Sequence, residues 1–60
     1  MELTITDLYN DIKKQNPNDS IRSLCEKTLS LWTMGMFDAI EGQVRETSIN
    51  NLAVKMGVTV

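Results

Sequence analysis

The chain has no histidine and one cysteine, Cys25, and each scarcity excludes a class of chemistry. A single thiol forms no intrachain disulfide. Without imidazole, a structural zinc site would need one thiol and carboxylates, an unusual ligand set. No cofactor or metal is expected. Nucleophilic catalysis loses its usual base as well, and Arg22 or Lys27 is a weak activator for Cys25. Cys25 is therefore expected to be a buried small hydrophobe. Asp38 and Glu41 are three residues apart and Glu26 is distant in sequence, so no carboxylates pair as acid and base. The expectation is a protein without enzymatic activity.

Positive charge is also in short supply. Six basic residues face eight acids, for a net charge of −2. Lys13, Lys14, Arg22, Lys27, Arg45 and Lys55 are scattered, whereas a duplex-binding domain concentrates cations on one face. Nucleic acid is not the expected partner. No run approaches the roughly 20 apolar residues that cross a bilayer. The opening MELTITDLYND has acids where a signal peptide needs a basic start. With an unpaired thiol, this points to the cytoplasm and away from membranes.

Breakers are few: Pro17, Gly35, Gly42 and Gly57. A chain of 60 residues so sparsely punctuated reads as helices joined by short turns, residues 1–60 forming one domain. The expected fold is all-α, a small bundle of three to four helices. A chain this short buries only about 60% of its unfolded surface. With disulfides and metals excluded, self-association is the remaining reinforcement, and a homodimer is expected.

The first helix should begin after Thr4, with Asp7 completing a capping box. Ile5, Leu8, Tyr9 and Ile12 form its apolar stripe, and Asn16-Pro17 ends it. Asn18, Asp19 and Ser20 are candidate caps for the next helix. Ile21, Leu24, Cys25, Thr28 and Trp32 share one side of it. Beyond Thr33 a second stripe of Met36, Ile40 and Val44, with Phe37 beside it, is rotated by roughly a quarter turn. Either the helix breaks near Met34-Gly35, or one helix over residues 20–46 carries two faces. A glycine costs only about 1 kcal/mol inside a helix. The reading adopted is a continuous or kinked helix. A last helix is expected from Thr47 or Ser48 to Gly57.

The segment LSLWTMGMF carries more large apolar surface than short helices bury alone. Trp32, Met34, Met36, Phe37, Ile40 and Val44 are the expected residues of a dimer or partner interface. Tryptophan, phenylalanine and methionine are enriched at such surfaces, and methionine adapts to irregular ones.

Residues 48–60, SINNLAVKMGVTV, place Ile49, Leu52, Ala53 and Met56 on one face, with a glycine four residues after Ala53. This resembles the first helix and turn of the helix-turn-helix in repressors of the lactose-repressor type. In that family a small residue packs where the helices cross, as Ala53 would, and Gly57 would make the turn. The base-reading side chains of the family lie on the second helix, which has no counterpart in residues 48–60. In size and acidic character the chain also looks like accessory proteins of temperate bacteriophages. The expected function is a small interaction module that docks an apolar helical face on a protein target. The alternative is a transcription-related module whose C-terminal segment binds DNA or a DNA-binding protein.

Overall fold

The computed structural model describes residues 2–60. Its elements are α1 (Ile5–Gln15), α2 (Ile21–Trp32), a 3₁₀ turn (Met36–Ala39) and α3 (Gly42–Met56), and no strand occurs among the described residues. The all-α expectation holds, with three α-helices. The central element is α2, which packs against α1, α3 and the 3₁₀ turn.

Local chemistry sets most boundaries. The Thr4 hydroxyl accepts from the Asp7 amide at 3.2 Å, and the Thr4 amide donates back to the Asp7 carboxylate at 3.1 Å. These two bonds form the expected capping box and satisfy N–H groups that the helix itself cannot pair. Asn16 closes α1, its side-chain amide donating to the Ile12 carbonyl at 2.9 Å. The Ser20 hydroxyl caps α2 by accepting from the Ser23 amide.

Each element then contributes to one core. Tyr9 and Ile12 come from α1, Leu24 and Cys25 from α2, Phe37 from the 3₁₀ turn, and Ile49, Leu52 and Ala53 from α3. Thr28 is the buried polar residue among them, and its hydroxyl donates to the Leu24 carbonyl at 2.7 Å. That bond matters because an unpaired hydroxyl there would cost about 1–3 kcal/mol.

Two expectations about helix boundaries are corrected. Residues 20–46 are not one helix: α2 stops at Trp32, and a turn and a 3₁₀ segment intervene before α3. The reason is that Met34 and Gly35 both adopt positive φ, 56° and 89°, which turns the chain out of the helix path. The Thr33 hydroxyl fixes the exit, donating to the Leu29 carbonyl at 2.7 Å and accepting from the Phe37 amide at 2.9 Å. This reversal swings Phe37 into the core, where burial of an aromatic ring stabilises by a few kcal/mol. The second correction concerns α3, which starts at Gly42 rather than at Thr47 or Ser48. The Ser48 hydroxyl donates back to the Val44 carbonyl inside the helix, and the actual cap residue, Glu41, makes no side-chain capping bond.

Gly57 ends α3 as expected, with φ of 73°.

Candidate interaction surface

The six residues expected at an interface do not share one environment. Met34 is 93% exposed, Met36 74% and Trp32 45%, and all three belong to the connection between α2 and the 3₁₀ turn or flank it. Val44 is also exposed, but it lies on α3. Ile40 is partly buried and packs against the core. Phe37 is only 1% exposed, so it is a core residue and the interface assignment is corrected for it. Leu31, outside the six expected residues, is a fourth member of the exposed group. It is 62% exposed, in the last turn of α2 at the edge of the face that carries Leu24 and Thr28. The available signal was that Leu31 falls off the apolar stripe of its helix.

Residues 31–36 thus form an apolar knuckle carrying Leu31, Trp32, Met34 and Met36. Its backbone is well determined by hydrogen bonds. The Gly35 amide donates to the Ser30 carbonyl at 2.7 Å and the Met34 amide to the Leu31 carbonyl at 3.1 Å. This crossed pair is the Schellman closure of a helix, in which the residue after the cap takes left-handed φ. That residue is usually glycine. Here it is Met34, at a cost of roughly 1–2 kcal/mol of backbone strain. The Ser30 hydroxyl donates to the Asp38 carboxylate at 3.1 Å, tying the 3₁₀ turn back to α2.

Beside the knuckle lies an open groove of about 280 Å³ between α1 and α2, lined by Ile12, Gln15, Asn16, Lys27, Ser30 and Leu31. Lys27 is paired with Asp19 and also donates to the Asn16 side chain. Leu31 therefore belongs to both the groove and the knuckle.

The opposite side of α2 is polar and braced. Arg45 reaches back from α3 to Glu26 at 2.6 Å, donates to the Phe37 and Ile40 carbonyls at 3.3 and 3.4 Å, and sits 4.4 Å above the Phe37 ring. A cation at those carbonyls satisfies the end of the 3₁₀ turn while stacking on an aromatic face. Arg22 grips the Glu46 carboxylate with two bonds, of 3.0 and 2.5 Å, and lies 3.5 Å from Glu26. The hydrogen bond to Glu46 raises the Arg22 pKa, and the same bond lowers that of Glu46. Three of the six cations, Arg22, Lys27 and Arg45, are thus ion-paired within the chain.

Cys25 is fully buried, and burial, with a smaller contribution from the Glu26 charge, pushes its thiol pKa up from the ordinary value. A thiol so placed is a poor nucleophile. Among the described residues no three His, Cys, Asp or Glu side chains group as metal ligands. Nor is any helix among them long and apolar enough to cross a membrane. Compared with models of known families, with curated proteins and with solved structures, the chain matches none.

Proposed function

We propose that the chain is a non-enzymatic protein-interaction module, a homodimer that docks the knuckle at residues 31–36 on an apolar protein surface. The observation that carries this reading is Met34. A large apolar side chain is held 93% exposed at a backbone position where glycine would be unstrained. Strain of that kind persists where the position is used. Leu31, Trp32 and Met36 extend the exposed apolar surface around it. Their residue types suit a partner contact, since aromatic and methionine side chains are enriched in interface cores and methionine conforms to what it meets. The adjoining groove beside Leu31 offers a recess for one side chain of the partner. A free, buried thiol fits a reducing, cytoplasmic setting.

The test is a photo-crosslinker placed at position 34 and, as a control, at the exposed Lys13 on α1, in extract of the native host. The expected result is a discrete protein adduct from position 34 that is lost when Trp32 is changed to serine. The same adducts from both positions, or none from either, would overturn the docking claim. Salt-sensitive duplex binding in an electrophoretic titration would favour the transcription-related alternative instead. The internal pairing of Arg22, Lys27 and Arg45 argues against that outcome, because paired cations have less to offer phosphates.

A further inference from the structure

The outward face of α3 is unlike the solvent face of an ordinary helix. Directly opposite the buried Ile49, Leu52 and Ala53 lie Val44, Thr47, Asn51 and Val54, all exposed. Val44 is 63% exposed and Val54 78%. At 100° per residue the four fall within roughly an 80° arc. Their spacing of three, four and three residues is that of the contact seam between two paired helices. Gln43 and Asn50 flank the seam on one side and Ser48 on the other, so its whole length carries no charge. Charge appears at the two ends alone, as Glu41 before the helix and Lys55 in its last turn. Among the described residues neither is ion-paired within the chain.

We propose that this face seats α3 of a second copy, running antiparallel, as the interface of the homodimer. The inference rests on the dimer part of the function proposed above, and it uses a surface separate from the knuckle. A two-fold contact requires a patch that complements itself, and the order Val-Thr-Asn-Val does so when reversed. Val44 meets the partner subunit's Val54, and Thr47 meets the partner subunit's Asn51, so apolar faces apolar and hydroxyl faces amide. At each end, the extended Glu41 that precedes α3 comes beside the last turn of the partner's α3, within reach of the partner subunit's Lys55. A parallel pairing would instead set Lys55 against the partner subunit's Asn50 and leave both charges without partners. Flanking charges of this kind select orientation in paired helices, and opposed helix dipoles favour the same choice. With 15 residues in α3 the contact is small, in the class below about 1,200 Å² of total buried area that forms weak complexes. Dissociation constants in the micromolar range follow.

Sedimentation equilibrium of the full chain from about 1 to 300 μM tests this. The wild type is expected to show a monomer–dimer equilibrium. Val54→Asp and Val44→Asp should each weaken it at least tenfold with unchanged helix content by circular dichroism. Should either variant lose helix, the charge pair supplies an independent test. Glu41→Lys or Lys55→Glu should weaken association, and the double exchange should restore it. A dimer insensitive to Val54→Asp but abolished by Met34→Asp would overturn the α3 interface while leaving the homodimer itself. A monomer at every concentration would overturn both. Neither result touches the docking of the knuckle, which the crosslinking reads separately.

Discussion

The C-terminal ends of α2 and α3 are closed by the same hydrogen-bond pattern and differ in the residue placed at its strained position. In α3 the Val58 amide reaches the Ala53 carbonyl and the Gly57 amide reaches the Val54 carbonyl, both at 3.0 Å. In α2 the Gly35 and Met34 amides make the corresponding bonds to Ser30 and Leu31. Gly57 takes φ of 73° without a side chain to oppose it, whereas Met34 takes 56° with one. After Gly57 the chain lays Val58 against the core, and the closure serves the fold alone. After Met34 it sends Phe37 into the core but leaves Leu31, Trp32, Met34 and Met36 in solvent. The contrast teaches that stopping α2 required only a left-handed residue, and methionine is an expensive choice for that purpose. Under the proposed function, that choice is explained by the partner surface its exposed side chain would meet.

The largest effect that sharpens this comparison comes from the residue each closure delivers. Phe37→Ala should destabilise by about 3–5 kcal/mol in chemical denaturation, enough to unfold much of a domain this small. Val58→Ala at the other end, only partly buried, should cost much less, about 1 kcal/mol. Equal losses would mean that the two closures play the same role.

Next in size is Gly57→Met, which makes the α3 end resemble the α2 end. A Cβ at Gly57 would meet nothing within 4 Å, so its cost is the left-handed backbone alone, about 1–2 kcal/mol. A smaller loss would show that the strain assigned to Met34 is overstated.

The smallest expected effect is a control, because alkaline pH should act on both ends alike. Cys25 and Tyr9 are buried in the common core, and burial is the main cause raising both pKa values above the ordinary 9.0 and 10.0. Above pH 9 the unfolded chain releases protons that the folded chain retains. Stability should therefore be intact below that point and fall as pH rises through it. The difference between Gly57→Met and wild type should stay constant across this range in urea titrations.

Much of this architecture was legible in the sequence where a side chain announces a backbone state. Thr4 with Asp7, the candidate caps Asn18, Asp19 and Ser20, Asn16-Pro17 and Gly57 each marked a helix end through a local hydrogen bond or a steric rule, and of the three candidates the structure uses Ser20. The boundary between α2 and α3 was not legible because its signals are displaced. Methionine occupies the left-handed position, and Glu41 caps α3 without a side-chain bond. Thr47 and Ser48 look like caps yet lie inside a helix, where the Ser48 hydroxyl is satisfied by a carbonyl one turn back. The candidate surface was half legible for a related reason. Composition marked the 31–36 segment, but only the reversal at Met34 decides that Phe37 turns inward while Met36 stays out. Val54 carries no such signal, because hydrophobic periodicity marks the buried face of its helix and Val54 lies opposite it.

The most direct test pairs stability with affinity in Met34→Gly, measured against the protein captured by the crosslinker at position 34. The expectation is that the two move in opposite directions: stability rises by about 1–2 kcal/mol, the reverse of the Gly57→Met loss, as backbone strain is relieved, and affinity falls at least tenfold. A variant that is more stable and binds as tightly as wild type would contradict it.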